Sequence, residues 1–198
     1  MTLNILSFAL ATVKFFVVDD PKAAKGKNAV SITGAMAATV CVYKVLTSDP
    51  SVFMAILSTA FLLLSLGLFL WTIRISKSNR VNFAFSEKIP EMVLYTGPYG
   101  IVRHPFYVSY TLTWIAAVIA APNIYTGFAC LMMFGLYFAS ANSEERTLIN
   151  SQNRLSYLKY RQHTGKFLPK ATLIFFFNRI RENKSMDTSV PKDKKVAS

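Results

Sequence analysis

Hydrophobic residues in this chain fall in long blocks, and polar residues gather in the short stretches between them. The clearest block, Val52 to Ile73, carries no charge; as a helix it is about 33 Å long, enough to cross a bilayer. Arg74, Lys77, Arg80 and Lys88 follow it. Ala29 to Leu46 predicts a second, moderately apolar helix, in which Gly34, Ala35, Ala37 and Ala38 permit close helix packing. Thr47-Ser48-Asp49-Pro50 connects the two tightly. Tyr107 to Ala121 and Ile124 to Ala141 predict a hairpin of apolar helices around Pro122-Asn123. Its first arm is only about 22 Å long, a short or tilted crossing. From Asn142 to Arg161 the pattern turns amphipathic, with Leu148, Ile149, Leu155 and Leu158 among charges. It predicts one helix continuing out of the membrane and ending before Gly165 and Pro169.

The remaining segments are less regular. Leu3 to Val18 is apolar, short and interrupted by Lys14; it reads as a retained membrane helix, with an interfacial helix or a targeting segment as the alternatives. Asp19-Asp20-Pro21 closes it, and Lys22, Lys25 and Lys27 form a basic linker. Residues 75–97 are polar to mixed and long for a bare loop, which predicts ordered structure against the membrane face. Leu173 to Phe177 is too short to span and is expected at the interface. Beyond Glu182 the chain is polar and basic, with Lys184, Lys192, Lys194 and Lys195, and is expected to be disordered.

Composition agrees with the block pattern: 53% of the 198 residues are hydrophobic and only 16% charged, a polytopic membrane protein rather than a soluble globule. The net charge of +12 would suit nucleic acid, but the basic residues flank apolar blocks instead of lining one polar face. They therefore read as orientation signals that put residues 22–27 and 74–88 on the cytoplasmic side and the loop at 47–50 opposite, with no nucleic-acid partner. The hairpin returns the chain to the side where it began. Arg103-His104 and Glu144-Glu145 are thus expected to meet at one membrane face, where polar groups are costly enough to be kept for use.

Other chemistry is excluded more simply. Cys41 and Cys130 lie inside apolar blocks as small hydrophobes. His104 and His163 are the only histidines, so no zinc-ligand set exists. Lys195-Val196-Ala197-Ser198 is not a Cys-a-a-X ending, so prenylation of the chain itself is not expected by that route. Gly97-Pro98-Tyr99-Gly100 is not the glycine-rich fingerprint of a dinucleotide-type fold.

Three clusters recur in a telling order. Gly97-Pro98-Tyr99-Gly100-Ile101-Val102-Arg103-His104-Pro105-Phe106-Tyr107 comes first, then Glu144-Glu145-Arg146-Thr147-Leu148, then Tyr157, Tyr160 and Phe167-Leu168-Pro169. This resembles the isoprenylcysteine carboxyl methyltransferase family, integral-membrane enzymes related to phospholipid methyltransferases, whose pattern is R-H-P-x-Y, then E-E, then spaced tyrosines. The resemblance covers residues 90 to 170. It implies an all-α, polytopic transmembrane protein of about four to five membrane helices with a cofactor pocket at the cytoplasmic face. It also implies S-adenosylmethionine (SAM) as cofactor and a location in the endoplasmic reticulum. The chain then divides into an N-terminal apolar segment and basic linker (1–28), a transmembrane helix pair (29–74), a methyltransferase catalytic region with the hairpin (75–181) and a basic tail (182–198). The acceptor expected first is the carboxylate of a prenylated cysteine at a protein C-terminus, giving a methyl ester. A phospholipid or other lipid amine, and a non-catalytic membrane scaffold, are the alternatives.

The resemblance also implies roles. Glu144 is the cofactor-contacting member of its pair, and His104, Pro105, Phe106 and Tyr107 line the cofactor pocket. Tyr99 and the approach segment Glu91-Met92-Val93-Leu94 align with further cofactor contacts. Arg103 and Glu145 are the candidate catalytic residues: Arg103 to hold a carboxylate, Glu145 as the second acidic group, with Glu145 or His104 as the base if the acceptor is an amine. Read from the residues alone, Glu144 is equally a helix-surface charge, His104 the residue entering a helix with Pro105 at its first position, and Arg103 a membrane-face anchor. Tyr99, Tyr157 and Tyr160 are equally interfacial aromatics, and His163 reads as an unremarkable exposed histidine. Two positions depart from the family pattern. Ser109 stands where a glycine is usual, and Ser140 stands four residues before Glu144, where the prenylcysteine enzymes carry an arginine implied to contact substrate. Arg103 and Arg146 are the candidates to replace it.

Overall fold

A computed structural model of the protein describes residues 21–78 and 94–170. They form α1 (Pro21–Leu46), α2 (Val52–Ser78), α3 (Pro98–Ile101), α4 (Pro105–Ala120), α5 (Ile124–Ile149) and α6 (Arg154–His163). The fold is all-α: among the described residues there is no strand, only an isolated parallel bridge between Val102 and Gly165. α2 and α5 are long and apolar enough to cross a membrane, while α4 and the apolar part of α1, Val30–Leu46, are shorter. Leu3–Val18, Glu91, Met92, Val93, Leu173–Phe177 and the basic tail lie outside the described residues.

Helix limits follow local chemistry, and two differ from the sequence expectation. α1 reaches back to Pro21, so residues 22–27 carry helical backbone instead of forming a linker; proline at the first helical position loses no intrahelical bond. The helix expected to run on to Arg161 stops at Ile149 and restarts as α6 at Arg154. Ser151 is the reason: its Oγ donates to the Leu148 carbonyl at 2.8 Å and accepts from the Asn153 amide at 3.1 Å. Such local bonds offer the backbone an alternative to the helix ladder. The start of α5 is fixed by Asn123, whose Oδ1 accepts from the amides of Tyr125 at 3.0 Å and Thr126 at 3.2 Å. The Thr126 hydroxyl accepts in return from the Asn123 amide at 3.3 Å, completing a capping box.

Packing is inverted relative to a water-soluble globule. The most extensive contact joins α2 and α4, and its seam is polar: Ser58 Oγ donates to the Ala116 carbonyl at 2.9 Å, and Ser65 Oγ to the Ser109 carbonyl at 2.6 Å while lying 2.8 Å from Thr113 Oγ1. Outside, Leu63, Leu131 and Phe128 are each about two-thirds exposed or more. Small hydroxyl side chains inside and large apolar ones outside are what helices in lipid require, since lipid gives no hydrophobic reason to associate.

The two ends of the bundle are distinct. At one, Ser48 Oγ donates to the Ala120 carbonyl at 3.2 Å, tying the 47–50 loop to the α4–α5 turn. At the other, Ser76 Oγ and Tyr99 Oη meet at 2.9 Å, joining the end of α2 to α3. The hairpin therefore doubles back, and the starts of α4 and ends of α5 share one end.

Candidate functional site

The site is built where the chain enters α4. Gly97 turns it with φ at +60°, a left-handed conformation that favours glycine. Pro98 then opens the single turn of α3. Val102 to His104 are paired by a strap that follows α6: the Arg103 amide donates to the Gly165 carbonyl at 2.8 Å and the His104 amide to the Lys166 carbonyl at 3.2 Å. Only glycine fits at 165, because a Cβ there would lie 1.8 Å from the Leu168 carbonyl oxygen.

Six polar side chains, those of Arg103, His104, Tyr107, Glu144, Glu145 and Lys166, converge on the gap between α4 and α5. Arg103 donates to Glu145 Oε1 from Nε at 3.2 Å and from Nη2 at 3.0 Å, and from Nη1 to the Thr164 carbonyl. His104 lies between both carboxylates, with Nε2 3.1 Å from Glu145 Oε1 and Nδ1 3.4 Å from Glu144 Oε2. Tyr107 Oη donates to Glu144 Oε1 at 2.5 Å. Lys166 Nζ lies 3.4 Å from Glu145 Oε2 and donates to Asn142 Oδ1. Glu145 is buried, with 6% of its side chain exposed, whereas Glu144 keeps 27% and is the accessible carboxylate of the pair.

Beyond the apolar stretches of α4 and α5, charge states follow from this arrangement. Burial opposes charge on His104, but Glu144 and Glu145 outweigh it and raise its pKa above the ordinary 6.5. When protonated, the ring donates from both nitrogens, one to each carboxylate. Glu145 is the shared acceptor of the cluster, held by Arg103 and His104 at Oε1 and by Lys166 at Oε2. Burial pushes the Tyr99 phenol up to about 12, the Ser76 hydrogen bond offsetting part of the rise.

Arg103, His104, Tyr107, Glu144 and Glu145 are thus brought together. Pro105 is the first residue of α4. Phe106 points elsewhere, its ring 5.8 Å from that of Phe69 in the α2–α4 seam. Leu94 is buried, and Tyr99 is a latch, its hydroxyl on Ser76 and its carbonyl accepting from Tyr160 Oη at 2.6 Å. Tyr157 is buried beside the Arg103 guanidinium, so both late tyrosines clamp α6 onto the site. Ser140 abuts the Tyr107 hydroxyl. Arg146 is exposed, as is His163. Sequence reasoning gave no role to Lys166, Thr164 or Asn142. The signal was present in Gly165-Lys166-Phe167, next to the quoted Phe167-Leu168-Pro169, but main-chain pairing over sixty residues has no sequence period to betray it.

This hydroxyl-lined helical bundle, with its charged cluster at one end, is of the membrane methyltransferase class. Residues 53–152 match the family model described as phospholipid methyltransferase, and the chain belongs to that family, which includes the isoprenylcysteine carboxyl methyltransferases. Methyltransferases of this family generally use SAM. Among curated proteins and among solved structures, nothing matches significantly.

Proposed function

We propose that the protein methylates the C-terminal carboxylate of a prenylated cysteine anchored in the membrane, using SAM and forming a methyl ester. The observation that carries this reading is the charge balance of the cluster. With His104 protonated, the state its two carboxylate neighbours favour, Arg103, His104 and Lys166 set three cations against the two carboxylates of Glu144 and Glu145, a surplus of one positive charge. A carboxylate acceptor offsets that surplus, and an ammonium acceptor adds to it. An amine must also lose a proton before it reacts, and the candidate bases are occupied: Glu145 is engaged by Arg103, His104 and Lys166, and His104 is shifted toward its charged form. A carboxylate needs no base.

The donor set suits the cofactor. Glu144 is partly exposed and is held by Tyr107 and His104, which fits a carboxylate that receives the cofactor's cationic amino group. When bound, SAM supplies the methyl group. The work of the chain is to orient and to exclude water: Arg103 is fixed by Glu145 and the Thr164 carbonyl, and Phe167 covers His104 with ring centroids 5.8 Å apart. The basic flanks favour a cytoplasmic site, and the resemblance favours the endoplasmic reticulum.

A second reading, methylation of a phospholipid amine, is favoured by Ser140, which sets a small hydroxyl beside Tyr107 where the prenylcysteine enzymes carry a cation. Purified protein with labelled SAM, offered a farnesylated cysteine analogue and phosphatidylethanolamine, separates the two. Label is expected in the former; label in the lipid amine alone overturns the carboxylate reading. Calorimetry with S-adenosylhomocysteine tests the scaffold alternative, which requires no heat of binding. Glu144→Gln is expected to weaken S-adenosylhomocysteine at least about tenfold, the usual worth of a charge-assisted hydrogen bond; unchanged affinity removes Glu144 from the cofactor site.

A further inference from the structure

Three aromatic side chains lead from inside the α4–α5 hairpin to the polar cluster. Trp114 Nε1 donates to Tyr137 Oη at 3.1 Å. The Tyr137 ring lies nearly parallel to that of Tyr107, with centroids 5.4 Å apart and planes 14° from each other. The Tyr107 hydroxyl then donates to Glu144 Oε1 at 2.5 Å. Trp114, Tyr137 and Tyr107 are all buried. Tyr137 and Glu144 stand about two turns apart on α5. One helix thus holds Tyr107 both at its face and at its hydroxyl.

Filling space does not call for a phenol at 137. Ala117, Ala129, Met133 and Ala141 fill the same buried cluster without a side-chain nitrogen or oxygen. A phenol or an indole buried without a partner costs free energy, and Trp114 and Tyr137 satisfy that need in each other. Their bond fixes where the Tyr137 ring sits. The Tyr107 ring is then offset-stacked on Tyr137 and also on His104, whose centroid is 5.7 Å away with planes 24° apart. Tyr110 packs against both tyrosines, 6.2 Å from Tyr107 and 5.5 Å from Tyr137. A ring so held fixes where its own oxygen stands, and with it the Glu144 carboxylate that the oxygen grips.

We infer that Tyr137 is a positioning residue: anchored by Trp114 and acting through the Tyr107 ring, it sets the direction in which Glu144 presents its carboxylate to the cofactor. The inference rests on the reading of Glu144 as the partner of the cofactor's amino group. A charge-assisted hydrogen bond is strong only where its acceptor stands ready for the donor. A carboxylate oriented in advance also spares binding the entropy of ordering it. Tyr137 acts at one remove, its hydroxyl engaged with Trp114 and its face with Tyr107.

The test uses the full chain in nanodiscs and two readouts. One is S-adenosylhomocysteine affinity by calorimetry; the other is the infrared carboxylate band of Glu144, identified as the band lost in Glu144→Gln. Tyr137→Leu is expected to weaken S-adenosylhomocysteine roughly three- to tenfold, the worth of an aromatic pair, and to shift the band. In a Tyr107→Phe background Tyr137→Leu should do neither, because the hydroxyl it positions is gone. Met133→Ala, which empties buried space against Gly34 of α1, should lower the melting temperature and leave both readouts unchanged. If Tyr137→Leu does not fold, Tyr137→Phe keeps the ring, cuts the bond to Trp114 and carries the same pattern at roughly threefold. An affinity loss with no band shift, equal losses with and without the Tyr107 hydroxyl, or a loss matched by Met133→Ala each overturns the inference. A band shift that needs the Tyr107 hydroxyl, with affinity indifferent to both Tyr137→Leu and Glu144→Gln, keeps Tyr137 as the group that orients Glu144 and sinks the cofactor reading. Weaker binding in Glu144→Gln with none in Tyr137→Leu does the reverse.

Discussion

His104 is the residue on which the two carboxylates depend, because its ring nitrogens face one each. Since its pKa in the folded chain is raised above 6.5, its contribution to stability is complete below 6.5 and is lost as pH rises through the folded value. Melting temperature in detergent is therefore expected to fall between about pH 6 and about pH 9 by more in the wild type than in His104→Gln; parallel curves would mean the ring stays neutral. At this scale the sequence was informative about charged letters and blind to their partners. Arg103, His104 and the glutamates could be picked out because they stand in the R-H-P-x-Y and E-E clusters of the family pattern. Lys166 could not, because it looks like any cation near a helix end until Glu145 and Asn142 are seen beneath it.

At the scale of elements, α2 and α4 are held by hydroxyls rather than by bulk. Ser58, Ser65 and Thr72 are all buried on α2 and recur every seven residues, the repeat that keeps one seam against a neighbouring helix. Ser65 is fully buried and reaches both Ser109 and Thr113. Ser65→Ala is expected to cost about 1 kcal/mol, the scale of interhelical hydrogen bonds in membranes, read as a lower midpoint in detergent-induced unfolding; an unchanged midpoint would mean the seam is held by packing alone. The departure from glycine at Ser109 belongs to the same seam, its carbonyl accepting from Ser65 and its own Oγ donating to the Phe106 carbonyl at 2.7 Å. The apolar blocks revealed α2 and the hairpin because uncharged length is itself the signal. The stop at Ile149 was hidden, since the side-chain bonds of Ser151 outweigh a hydrophobic period that continues past it.

At the scale of the molecule, α4 is about 24 Å long against a hydrocarbon core of about 30 Å, a shortfall of roughly 6 Å. A recess at the His104 end would bring the cluster to the depth where a lipid chain meets its head group. The two ends of the bundle should also be reachable from opposite compartments. In a background lacking Cys41 and Cys130, Asp49→Cys and Ser143→Cys are expected to react with an impermeant maleimide from opposite sides of sealed vesicles. Reaction of both from one side would undo the shared end of α4 and α5 on which the site depends.

The strap at 164–167 has one more consequence. It lies past residue 152, where the family match ends, yet it provides the Thr164 oxygen on Arg103, the Lys166 ammonium on Glu145 and the Phe167 ring on His104. A fragment trimmed to the matched region would keep the R-H-P-x-Y and E-E clusters and lose the residues that cover and neutralise them. For this chain the unit to clone, graft or compare runs through Pro169.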